Sequence, residues 1–185
     1  ISKLLDKKIS VLDYGANWGY TVFQLDDQEF IQEVYGYEYS DSRRYFGEKN
    51  LNVKYINEDQ FINKFDVVFS SHVIEHMFNP SLFKIHMDQL LLENGYCIII
   101  CPNGSLTELI NNPNDWRTLW SMVHPNLISD EFLLKLFKDY EGGVFPEIEN
   151  EIAKINFLNR IYNPPVSYLP SSFNLIALFK KISAE

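Results

Sequence analysis

Cysteine, basic blocks and long apolar runs are all scarce in this chain of 185 residues, and each shortage removes a class of protein. The two cysteines, Cys97 and Cys101, stand four apart in one strand-like run, so they share a face. They read as core packing rather than a disulfide or metal pair. Lysine and arginine total 16 against 25 acidic residues, a formal net charge of -9, and basic residues gather only in pairs such as Arg43-Arg44 and Lys180-Lys181. That balance repels a phosphate backbone, so no extended nucleic acid is expected as a partner, although net charge does not report the charge of one face. The longest apolar run, Tyr96 to Cys101, is too short to cross a bilayer, and no charged-then-apolar leader opens the chain. A cytoplasmic protein with no membrane partner is expected, and a start at Ile1 reads as N-terminal trimming.

What is present is a 46% hydrophobic composition, enough for one α/β domain over residues 1–185. Apolar runs alternate with helix-length amphipathic segments, which predicts a mostly parallel sheet. Seven strands are expected: Ile9 to Leu12, Glu33 to Tyr39, Val53 to Ile56, Asp66 to Ser70, Tyr96 to Cys101, one within Val144 to Asn156, and Phe173 to Phe179. Helices are expected over Gly19 to Phe30 (burying Val22, Phe23 and Leu25), from Ser40 or Asp41 to Lys49, over Pro80 to Leu92, and over Asp130 to Tyr140 behind Ser129 as cap. Pro102 to Pro125 reads as a long loop with some helix around Trp116 to Met122. Gly142-Gly143 reads as a break, and the last strand as antiparallel to the others.

Chemistry concentrates in three places. Asp13-Tyr14-Gly15-Ala16-Asn17-Trp18-Gly19 follows a strand and precedes a helix, where small residues permit close approach of a ligand. Glu38 ends the next strand, where a carboxylate can accept from ribose hydroxyls. Asp59-Gln60 and Ser70-Ser71 end the third and fourth strands beside the same cleft, with a solvated loop as the plainer reading of the first pair. His72, Glu75 and His76 would share one helical face. The order H-x-x-E-H also occurs in zinc peptidases, but no downstream helix matches their glutamate-bearing one.

Val11 to Gly19, Phe65 to His76, and Leu92 to Tyr96 continuing to Pro102-Asn103 resemble the first, fourth and fifth strand motifs of class I S-adenosylmethionine-dependent methyltransferases. The likeness spans roughly residues 5 to 140 and is nearest the ubiquinone-biosynthesis and sugar O-methyltransferase branch. It implies a Rossmann-like methyltransferase fold: a seven-stranded, mostly parallel sheet with an antiparallel C-terminal strand and helices on both faces. S-adenosyl-L-methionine would be the methyl donor and S-adenosyl-L-homocysteine the product, with a small-molecule acceptor, a hydroxyl of a sugar or related metabolite. By the resemblance, Asp13, Gly15 and Gly19 cradle the methionine end and Glu38 holds the ribose. Asp59 or Gln60 faces adenine, and Ser71 or His72 lies near the sulfonium; Ala16, Asn17, Tyr39 and Ser70 complete the cofactor set. Asn17 stands where the family carries its middle glycine, a substitution that asparagine's tolerance of positive φ makes feasible.

His76, His124 and His72 are the candidate general bases, since a neutral imidazole can take the acceptor's proton near neutral pH. Cleft-edge hydrogen bonding and a structural turn are the plainer readings of these histidines. No metal is assigned outright. Resemblance to ubiquinone-type enzymes and to small-RNA terminal 2'-O-methyltransferases nevertheless offers His72, Glu75, His76 and His124 as a set, better suited to a transition metal than to magnesium. Tyr14, Phe78, Trp116, Trp120 and Met122 could wall an acceptor pocket or fill a core. The competing functions are a metal-assisted RNA-end methyltransferase, a nicotinamide oxidoreductase, which the D-x-G-x-N-x-G loop disfavours, and a non-catalytic S-adenosylmethionine-binding module.

Overall fold

A computed structural model describes residues 6–119, 121–146 and 173–182. Its centre is a six-stranded sheet in the order β2-β1-β3-β4-β6-β5, formed by β1 (Ile9–Tyr14), β2 (Ile31–Tyr37), β3 (Phe65–Ser71), β4 (Leu91–Pro102), β5 (Tyr140–Pro146) and β6 (Asn174–Lys181). The first four strands are parallel, and β6 lies between β4 and β5, antiparallel to both. The antiparallel terminal strand was expected, as was α/β layering.

Helices cover both faces because the inner strands are apolar on both. Leu12, Tyr14, Val68, Cys97, Ile99 and Cys101 pack into one cluster with Phe83, Met87, Leu133 and Phe137. Ile9, Val11, Val34 and Val67 join Val22 in another. The first cluster takes its helical side from α3 (Ser81–Leu90) and α6 (Asp130–Leu136), the second from α1 (Tyr20–Asp26). Both cysteines are free and buried, as packing residues should be. Of the positions expected to be buried in α1, Val22 is, Leu25 is partly buried against the second cluster, and Phe23 is exposed because its side of the helix turns away from the sheet.

Further sequence expectations need correction: the helices expected to reach Phe30 and Tyr140 end at Asp26 and Leu136, because the chain turns into the next strands at Ile31 and Tyr140. The strand expected at Val53 to Ile56 is an isolated bridge between Gly36 and Tyr55, which leaves six strands among the described residues instead of the seven expected. The left-handed Asn52 just before it and the 3-10 turn at Glu58–Gln60 just after leave too little extended backbone for a ladder. Pro102 to Pro125 is largely helical, forming α4 (Leu106–Asn111) and α5 (Pro113–Leu119). Ser105 starts the first of these, its hydroxyl accepting from the Glu108 N–H at 3.2 Å. Gly142-Gly143 lies inside β5, where a Cβ on Gly142 would overlap the Leu178 carbonyl of β6; the glycine permits the pairing. The helix expected to run to Leu92 ends at Leu90, and β4 starts at once. Strand expectations beyond residue 146 lie outside the described residues until Phe173. The remaining helix, α2 (Asp41–Leu51), begins after Ser40 as expected. Among the described residues no helix is long and apolar enough to cross a membrane.

Candidate active site

The carboxyl ends of β1, β2 and β3 deliver three groups to one edge of the sheet. After β1 the chain turns through Gly15 (φ 88), Asn17 (φ 52) and Gly19 (φ 83). The N–H groups of Gly15 and Ala16 both donate to the Tyr37 carbonyl, at 2.8 and 2.9 Å, so these amides tie the loop to β2. Glu38, one residue past β2 and buried, accepts from the Asn17 N–H at 2.9 Å and from the Ser40 N–H at 2.8 Å. Each carboxylate oxygen keeps a second lone pair, which a ribose hydroxyl can use.

Asp13 is buried at the start of this loop. Burial, with the charge of Glu38 adding and a hydrogen bond from Thr21 opposing, raises its carboxyl from 3.8 to about 7. A buried carboxyl facing another carboxylate suits an arriving ammonium group. Ser70, at the end of β3, is also buried, and its hydroxyl has no hydrogen-bond partner. Together these groups could hold an ammonium and a ribose hydroxyl.

The other cofactor candidates stand in varied settings. Tyr39 is 90% exposed. Gln60 caps its own 3-10 turn, its side-chain oxygen accepting from the Asn57 N–H at 2.9 Å, while Asp59 is exposed beside it. Ser71 is half-buried, and His72 adopts φ 55 with its N–H donated to Ile100 of β4 at 2.8 Å. Tyr14 belongs to the core, not to an acceptor wall: it packs among Tyr37, Phe61 and Phe83 and hydrogen-bonds His86 at 2.7 Å. Phe78 and Met122 are fully exposed, and Trp120 lies outside the described residues.

The histidines gather around a short turn at Ile74–His76. His76 and His124 sit with ring centroids 4.6 Å apart, and with Glu75 they offer ligand atoms all within 4.8 Å of one another. Nδ1 of His124 bonds the Leu119 carbonyl at 2.9 Å, and Nδ1 of His76 bonds the Val123 carbonyl. A carbonyl only accepts, so each Nδ1 donates, and in the neutral ring the lone pair lies on Nε2. Glu75 is 1% exposed, and neither of its oxygens has a hydrogen-bond partner. His72 Nδ1 comes within 3.3 Å of Glu75 Oε1, an ion pair only when that histidine is protonated. The structure thus groups Glu75, His76 and His124 and leaves His72 as a neighbour of Glu75.

Two residues of this region carry no sequence signal. Asn126 clamps the turn, its side-chain amide donating to the Met77 carbonyl at 2.6 Å and the Glu75 carbonyl at 3.3 Å. Tyr55 donates to the Asn17 carbonyl at 3.2 Å. Each acts on the backbone of a distant segment, which no local pattern announces. Val73 joins the two halves of the site: a Cβ on Gly15 would overlap its Cγ2, so the histidine turn packs directly on the glycine loop.

A family model described as a methyltransferase domain matches residues 1–141. Solved structures share the fold at low identity. A SAM-dependent methyltransferase from Archaeoglobus fulgidus is 18% identical, with 97% of this chain and 90% of that one covered and a TM-score of 0.63. A putative methyltransferase from Bacillus halodurans C-125 is 13% identical, with 98% of each chain covered and a TM-score of 0.67. The plantazolicin methyltransferase BamL, solved with a triazolic desmethylPZN analog and SAH, is 15% identical, with 98% and 80% covered and a TM-score of 0.69. No curated protein matches the sequence.

Proposed function

The chain belongs to the methyltransferase-domain family and is an S-adenosylmethionine-dependent methyltransferase, and from that premise we propose that it methylates a hydroxyl of a small acceptor, a sugar or related metabolite. The observation that carries this reading is the packing of Val73 on Gly15, which brings the turn that bears His76 against the loop that would hold the methyl donor. Asp13 pairs with the methionine ammonium, and Glu38 accepts from the ribose. The bound sulfonium supplies the methyl group. Nε2 of His76 or His124 takes the acceptor's proton as the new oxygen–carbon bond forms and the carbon–sulfur bond breaks, releasing S-adenosylhomocysteine. Alignment of the reacting atoms contributes most of the acceleration, and the base adds less.

Calorimetric titration with S-adenosylmethionine, S-adenosylhomocysteine and NADH tests the donor site. Micromolar binding of the two methionine nucleosides and none of NADH is expected, followed by S-adenosylhomocysteine formation with a panel of sugars. A folded protein that binds neither nucleoside sinks the reading. Turnover of a triazolic desmethylPZN analog in place of sugars would replace the acceptor class, since plantazolicin methyltransferase structures hold such an analog.

A divalent ion at Glu75, His76 and His124 is the second reading, favoured by a buried carboxylate whose oxygens accept no hydrogen bond, one of them 3.3 Å from His72 Nδ1, beside two imidazoles whose Nδ1–H groups are already anchored to carbonyls. Two nitrogens and one carboxylate suit zinc or another transition metal over magnesium. Such an ion would hold and acidify an acceptor hydroxyl. Zinc or manganese titration should show a site whose affinity falls at least about tenfold in Glu75→Gln and in His124→Ala; equal affinity in all three proteins removes the ion. RNA binding that weakens as salt rises, together with loss of turnover in chelator, would shift the acceptor to an RNA end.

A further inference from the structure

Tyr55 stands outside every motif, yet three elements make room for it. Backbone bonds between Gly36 and the Lys54–Ile56 segment hold it against β2. A Cβ on Gly36 would lie 2.8 Å from its ring and one on Gly19 2.7 Å from its hydroxyl, while one on Gly47 of α2 would overlap that hydroxyl. From this slot the hydroxyl donates to the Asn17 carbonyl at 3.2 Å. Asn17 also gives its N–H to Glu38, so both of its backbone polar groups are held. It carries φ 52, a conformation that costs an asparagine more than a glycine.

We propose that Tyr55 is a positioning residue whose hydroxyl latches the cofactor loop in its left-handed turn and keeps Glu38 aimed at the ribose. The latch offsets the presence of asparagine at position 17, and the glycines at 19, 36 and 47 are the space it requires. The proposal deepens the donor-binding reading and rests on it for its consequence in binding, though not for its consequence in the free protein.

The substitution Tyr55→Phe keeps the ring and removes the hydroxyl; Val53→Ala, which loosens packing beside Gly19, is the control. In the ligand-free protein, amide exchange at Asn17 and Gly19 should accelerate about tenfold in Tyr55→Phe, with the amides of β1 unchanged. Unchanged exchange overturns the latch whatever the protein binds. S-adenosylhomocysteine should bind Tyr55→Phe about fivefold more weakly, the scale of one neutral hydrogen bond, while kcat at saturating donor stays at the wild-type value. Val53→Ala should lower Tm and keep wild-type affinity. Equal affinity in Tyr55→Phe and wild type, or equal losses in both variants, overturns the proposal. Failure of the wild-type protein to bind the nucleoside sinks the donor-binding reading instead, and the exchange result then decides the latch alone.

Discussion

Gly15→Ala is expected to weaken S-adenosylmethionine binding at least a hundredfold, on the order of 3 kcal/mol. The φ of 88 at this position alone costs an L-residue roughly 1–2 kcal/mol. The larger effect is steric, because the new methyl would overlap Val73 Cγ2. Val73 is followed by fully buried Ile74 and Glu75, so the histidine turn has little room to retreat. The loop must move, breaking the bonds from Gly15 and Ala16 to the Tyr37 carbonyl and carrying Asn17 off Glu38. Adding Val73→Ala removes the overlap and leaves the unfavourable φ, so the double variant should recover about half of the lost free energy. Calorimetry on the folded variants decides: wild-type affinity in Gly15→Ala would mean that the glycine loop does not form the donor site.

The second large effect concerns pH. The Asp13 carboxyl, raised from 3.8 to about 7 chiefly by burial, holds its proton more tightly in the folded protein than in the unfolded chain. Stability from this group is therefore fully present below about pH 4 and is lost as pH rises through about 7. At about 1.4 kcal/mol per pH unit the loss reaches roughly 4 kcal/mol. Asp13→Asn keeps an acceptor for Thr21 without the charge, so it should be clearly more stable than wild type at pH 8 and nearly equal at pH 4. Urea denaturation of both proteins across that range checks the prediction, since other titrating groups cancel in the difference. A constant difference at all pH values would refute it. The same linkage extends to the ligand: an ammonium placed beside Asp13 favours the ionised carboxyl. S-adenosylmethionine binding at pH 6 should then release a proton, seen as a buffer-dependent heat that Asp13→Asn lacks.

The inner sheet was legible because β1, β3 and β4 are covered on both faces and read as continuous apolar runs. Where a single contact decides the structure, local pattern gave too little. The Val53 to Ile56 segment is apolar enough for a strand, but it meets the sheet only at Gly36. Gly142 looks like a break until the Leu178 carbonyl that requires it is in place. In the site, the order of Asp13, Gly15 and Glu38 along the chain was informative because a strand, a turn and the next strand bring them together by topology alone. His72 and His124 illustrate the opposite case. Spacing joined His72 to Glu75 and His76, and His124 was offered only by the family resemblance, whereas the separation of donor atoms puts His124 in the group of three in exchange for His72. That exchange depends on Asn126 drawing the loop around residue 124 onto the turn around residue 76, a tertiary contact invisible in either segment.

The position of β6 bears on how the protein comes to be made. This strand occupies the interior of the sheet, between β4 and β5, although it lies far along the chain from Pro102. As the polypeptide leaves the ribosome, β1 to β4 can assemble while the Cys97–Cys101 edge, with three isoleucines at its centre, still has no neighbour. Until residues 174–181 emerge, that edge is a template for pairing with any other nascent chain. Completion of the sheet therefore waits on residues 174–181, and the interval before they emerge is when a chaperone would have most to protect.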